Sequence, residues 1–213
     1  RILDVADRII TLEDGQFEET HRGMDRLREA WTGLTGLFPR YAATVSSAGG
    51  GGEVLEDLRL RFKELRDPLI LRAAEFASRR MSPSLMEQAR SLEKQLHDLD
   101  ICEEALSRVL ELVSAPRDEK FRIIAATFFQ PLEFLVITMA ETGENPTVDA
   151  IEHLARLTAD REPLMARLRE KYFESAGLDE KGRQDFYELT DLLARAIHFI
   201  HQWAESLSSW AVD

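Results

Sequence analysis

The chain has 213 residues, with 27 Lys and Arg against 39 Asp and Glu, and carries a net charge of −12 at pH 7. So acidic a surface excludes the dense cationic footprint that a nucleic-acid backbone needs, and equally the polybasic patch that docks on anionic lipid. A single cysteine, Cys102, excludes an internal disulfide framework and a cysteine-based metal knuckle.

Residues 1–19 read differently from the rest. Arg8 to Glu13 is rich in β-branched residues, and Asp14-Gly15 followed by Gln16-Phe17-Glu18 predicts a short β-hairpin, because a tight primed turn needs the positive φ that glycine tolerates. The chain starts at Arg1 with no secretory pattern, so the numbering is expected to begin inside a longer protein. From about Thr20 onward the pattern is helical.

A first helix is predicted over about 20–45, from the 3-4 spacing of Met24, Leu27, Trp31, Leu34, Phe38, Tyr41 and Val45, with Gly33, Gly36 and Pro39 weakening its second half. Gly49 to Gly52 reads as a flexible linker unable to hold a helix. A second helix follows over about 53–80, with a bend expected at Pro68. Ser82-Pro83 opens a third, to about 113, whose apolar seam is interrupted only by Glu103. An unpaired buried carboxylate there would be costly, and the reading is a buried ion pair with a neighbouring Arg or Lys, the alternatives being a locally wet seam or a contact to another protein.

The fourth helix, about 117–141, is apolar nearly all round. Arg122, Glu133 and Pro131 argue for the buried centre of a bundle over a membrane span. Phe128, Phe129 and Phe134 line either that core or an apolar ligand pocket. Gly143 is a C-cap candidate, and Asn145-Pro146 opens a fifth helix to about Ser175 with a kink at Pro163. The sixth, about 180–210, carries an unbroken apolar stripe from Phe186 to Trp210. Six long helices joined by short breaks predict an all-α antiparallel bundle laid out as two three-helix units.

Two groups of side chains have ligand chemistry. Glu93, His97 and Asp98 on the third helix, with Asp100 nearby, and His198 and His201 on the sixth, near Asp191 and Glu205, are imidazoles and carboxylates of the kind that hold Zn or Fe. The alternative for both is a solvated helix face. Trp203 and Trp210, like Glu103, are candidate partner contacts, with core packing the alternative for the tryptophans. Cys102 lacks the His or Asn context of a nucleophile. No Glu-x-x-His pair suits a di-metal carboxylate enzyme, and no Gly-x-x-x-x-Gly-Lys-Ser/Thr phosphate loop is present, so no catalytic residue is assigned.

Val5-Ala6-Asp7-Arg8-Ile9-Ile10-Thr11-Leu12-Glu13-Asp14-Gly15-Gln16 resembles the closing hairpin of ABC transporter ATPase domains. The resemblance implies a parent that binds ATP and Mg²⁺ upstream of this chain. Residues 20–213 resemble the PhoU family of six-helix regulators of phosphate transport. Leu193-Ala194-Arg195-Ala196-Ile197-His198-Phe199, followed by Ala204-Glu205, stands where that family carries its acidic metal-cluster motif, with Arg195 and Glu205 matching and Ala194 and His198 replacing the two carboxylates. Leu92 to Asp98 is a looser match that keeps Glu93.

Together the resemblances imply a regulatory helical domain, 20–213, behind a hairpin, 1–19. It would sit in the cytoplasm at the inner membrane face and work through contacts with transporter subunits or a second copy. The alternative is a free-standing PhoU-like metal-binding regulator.

Overall fold

The computed structural model describes residues 30–46, 51–77, 83–115, 119–175 and 179–207. They are helical apart from short connections, and no β-strand occurs among them. The chain is all-α over this range. The expected hairpin over 1–19 and Trp210 lie outside the described residues.

The helices are α1 (30–35), α2 (Phe38–Ser46), α3 (Gly51–Ala77), α4 (Pro83–Ser114), α5 (Glu119–Glu144), α6 (Val148–Ala159), α7 (Arg161–Ser175) and α8 (Glu180–Ser206). Two of the expected rods are therefore divided. The first breaks at Gly36-Leu37, where Leu37 N–H bonds Leu34 O at 3.1 Å in a tighter turn, and Pro39 then sits where the new helix needs no donor. The fifth breaks at Asp160 (φ −93°, ψ 27°), upstream of the expected kink. Pro163 falls in the first turn of α7, whose N–H groups have no ladder partner to lose.

The glycine run is also corrected in part. Gly51 and Gly52 form the start of α3, where the missing Cβ costs least, and Glu53 places a carboxylate at the positive end of the helix dipole. α3 and α5 continue through Pro68 and Pro131. Thr147 caps α6 by accepting from Ala150 N–H at 3.3 Å, and Asp179 caps α8 by accepting from Gly182 N–H at 2.7 Å.

Packing centres on α4 and α8, which make the most extensive helix–helix contact. Their register is antiparallel: Ser91 Oγ and Gln95 Nε2, near the start of α4, donate to Ser206 O at the end of α8, at 2.9 and 3.1 Å. α3 runs antiparallel along α4, with Arg66 meeting Asp100 at 2.7 Å and Arg59 meeting Glu111 at 2.8 Å. α6 and α7 lie along α8: Thr158 reaches His201 at 2.9 Å and Arg169 reaches Thr190 at 2.6 Å. Rings fasten the remaining joints. Phe38 packs edge-on to Phe62 at 5.8 Å, and Phe128 packs against Tyr172 and Phe186 at 5.2 and 5.3 Å.

Trp31 stacks on Trp203 with ring centroids 5.3 Å apart, and Trp203 is wholly buried. The tryptophan proposed as a partner contact is thus core. Gly143, read as a C-cap, lies within α5 and serves this pair instead. A Cβ there would stand 3.1 Å from Thr35 Oγ1 and 3.4 Å from each indole. Gly143→Val is expected to lower stability by about 1–3 kcal/mol through overpacking. In Gly143→Ala, a helix-propensity gain of about 1 kcal/mol offsets the tighter contact. Urea unfolding of the two variants distinguishes steric from propensity effects.

Candidate functional site

Glu103 faces the joint between α4 and α2. Tyr41 Oη donates to Glu103 Oε1 at 2.7 Å, and Ser107 Oγ donates to the same oxygen at 2.6 Å. The expected buried ion pair is therefore replaced by two hydroxyl donors on a half-buried carboxylate. Burial, and next the bond to Glu103, push the Tyr41 phenol far up, so it stays protonated and donating. About two turns further along α4, Glu111 takes Arg59 and Arg108. Against the burial that would raise it, these two guanidinium groups hold its carboxyl below the ordinary value. The sequence flags Glu103 by its place on the seam; Tyr41, read there only as an apolar position, carries no such mark.

The metal-ligand candidates are dispersed. Glu93 and His97 are exposed on one face of α4, whereas Asp98, one residue round the helix, is 3% exposed. Asp100 is engaged by Arg66, and Asp191 is exposed. No group of three or more His, Cys, Asp or Glu that would hold a metal occurs among the described residues.

The α8 histidines are not on a solvated face. His198 is half-buried beside Phe199, with ring centroids 5.2 Å apart. His201 joins α8 to α6, with Nδ1 at 3.1 Å from Ala155 O and 2.9 Å from Thr158 Oγ1. A carbonyl oxygen only accepts, so the ring bonds Ala155 O in the tautomer that carries a proton on Nδ1; the Thr158 hydroxyl can donate to Nδ1 in the other. Nε2 is left facing Glu205 at 3.6 Å, an ion pair when the ring is protonated.

Asp98 has the least compensated environment on α4. Its Oδ2 meets no hydrogen-bond partner among the described residues. Burial pushes its carboxyl above the ordinary range, while Lys94 and His97 pull the other way. Cys102, one turn along, is 1% exposed, and burial, with Glu103 and Asp98 adding to it, pushes its thiol far up. A thiol so held is a packing residue and not a nucleophile.

The surface carries a clearer signal. α5 turns an apolar stripe outward: Ile123, Phe134 and Ile137 are 63%, 54% and 39% exposed, with Thr127 and Gln130 filling the 4-3 spacing between them. Its opposite face, including Phe128, Phe129 and Val136, is core. The segment Phe121–Glu144 is long and apolar enough to cross a membrane, but about half of it is buried against the other helices. Beside the stripe, Thr127 and Pro131 form one wall of a cleft of about 270 Å³ closed by α6, α7 and α8. The sequence places Phe128, Phe129 and Phe134 together on one helix. The structure divides them into cleft, core and surface.

No protein-family model, curated protein or solved structure matches the chain.

Two consequences are measurable. Tyr41→Phe leaves Glu103 with one donor and is expected to cost about 1–2 kcal/mol in urea unfolding. Asp98 binds its proton more readily in the folded than in the unfolded chain. Its stabilising contribution is therefore full below the ordinary Asp value of about 3.9 and is lost as pH rises through the raised folded value. Asp98→Asn is expected to be more stable than the parent at pH 7 by about 1–3 kcal/mol. That advantage shrinks toward zero as the pH falls to about 4.

Proposed function

We propose that the chain is a non-catalytic accessory domain at the C-terminal end of an ABC transporter ATP-binding subunit, acting through helix-mediated contacts with transporter subunits. The observation that carries this reading is the outward apolar stripe of α5. Exposed apolar side chains in line on a helix face suit a partner helix, and Ile123 at one end and Phe134 with Ile137 at the other would be its anchors, with Thr127 and Gln130 between them.

Three further points support it. The ATPase-like stretch Val5–Gln16 precedes, in the sequence, a segment whose apolar spacing is helical. α2, α3 and α4 contact one another, as do α5, α6 and α8; a PhoU-like layout of two three-helix units would give both sets, with the most extensive contact, α4–α8, falling between them. The acidic surface favours attachment to the membrane through a partner over direct lipid binding. In this reading the domain stands in the cytoplasm, and nucleotide and Mg²⁺ belong to the ATPase upstream. Closure of paired ATPase domains is a two-state change that a bundle contacting one state more than the other would bias.

The test is made in the full transporter protein. Ile123→Asp with Phe134→Asp, both on exposed positions, is expected to leave folding within about 0.5 kcal/mol of the parent. It should abolish co-purification with transporter subunits. Removal of residues 20–213 should alter the coupling of ATP turnover to transport. Unchanged assembly, turnover and transport in both variants would overturn the reading. Stoichiometric Fe, Zn, Mn or Ni in the purified chain would favour the free-standing metal-binding regulator instead.

A further inference from the structure

The cleft beside α5 shares Thr127 with the outward stripe but none of its exposed apolar residues. Phe128 and Leu132 of α5, Leu157 of α6, Leu168 of α7 and Ile197 of α8 form its apolar walls. A volume of about 270 Å³ is near the lower end of the roughly 300–1,000 Å³ range of small-molecule pockets. Apolar cavities of this kind take apolar guests.

Three polar side chains line it: Thr127, Asp160 and Arg167. Thr127 Oγ1 already donates to Ile123 O at 3.1 Å. Asp160 sits between the C-terminal end of α6, whose dipole opposes a carboxylate, and the first residue of α7, whose dipole favours one. Arg167 lies on the same face two turns into α7, about 10 Å along its axis. Its Nε donates to Pro163 O at 3.2 Å, and its Nη nitrogens have no partner among the described residues. An exposed, uncommitted guanidinium at the edge of an apolar hole is a receptor for a carboxylate, which its planar fork matches in bidentate geometry.

We propose that this cleft binds a medium-chain carboxylate, its hydrocarbon chain among the side chains of α5, α6, α7 and α8 and its head paired with Arg167. The site stands apart from the partner-binding role given to the outward face of α5. Either holds if the other fails.

Isothermal titration of the full chain with hexanoate, octanoate, decanoate, decanol and decyltrimethylammonium tests it. Affinity is expected to rise about fourfold per methylene from hexanoate to octanoate. It should level off near decanoate as the cavity fills. Arg167→Gln is expected to weaken decanoate about tenfold while leaving decanol as it was. The head-group comparison on the unaltered chain keeps the proposal falsifiable whatever that variant does. Absence of binding by every probe, no dependence on chain length, or decanol bound as tightly as decanoate would each overturn it. So would preference for the cationic probe, which would assign the head to Asp160.

Discussion

The α4–α8 seam constrains everything else in the molecule. Leu92, Leu96, Leu99, Leu106 and Leu110 on one side and Phe186, Leu189, Leu193, Ala196, Ile200 and Trp203 on the other are all within a few per cent of full burial. Interdigitated side chains set the register of two rods of this length, and a polar stop at one end adds to it. Ser91 and Gln95 supply that stop by donating to the last carbonyl of α8, which would otherwise be one of the orphan acceptors of a helix end. Once the pair is set, α2 and α3 have α4 to pack on, and α5, α6 and α7 have α8.

Polar groups inside the bundle serve as joints. Thr158, Thr190, Ser107 and Ser206 are buried hydroxyls that bond carbonyls of their own helix or reach a side chain on it or on a neighbour. Tyr41–Glu103 joins α2 to α4, His201–Thr158 joins α8 to α6, and Arg169–Thr190 joins α7 to α8. Each satisfies a group whose burial would otherwise cost free energy, and each specifies a relative placement that apolar contact alone leaves loose. Gln95 Oε1, Trp203 Nε1 and Asp98 Oδ2 are left out of these joints, and of the three only Asp98 is a carboxylate, its charge opposed mainly by Lys94 and His97 of its own helix.

The class and the helix positions were legible because apolar spacing reports directly on which side of a helix meets others. That is why α4 and α8 stand close to where periodicity puts them. The breaks at Gly36-Leu37 and Asp160 were less legible. A proline shows where a ladder donor is missing, but a helix can start around one as readily as it can kink there. The role of Gly143 was hidden because it depends on two indoles more than a hundred residues apart in the chain, Trp31 and Trp203. The histidines were misjudged for a related reason. A position off the main seam of α8 is exposed only if no second helix covers that side, and α6 does cover His201. The grouping of Glu93, His97 and Asp98 treated neighbours in the chain as neighbours in space, whereas one step along a helix turns the side chain by about 100°. Outward exposure of half of α5 could not be read at all from a segment apolar on every side.

The stop between Ser91 and Ser206 spans 115 residues of sequence. During synthesis, α4 is complete long before the helix that covers its leucine row has left the ribosome. For that interval the nascent chain presents an uncovered apolar ridge, and closing so distant a pair is the kind of event that slows folding and invites association with other unfinished chains. α2 and α3 are made before α4 and pack on it in the folded chain, so of the three helices that contact it most, only α8 is still missing at that stage.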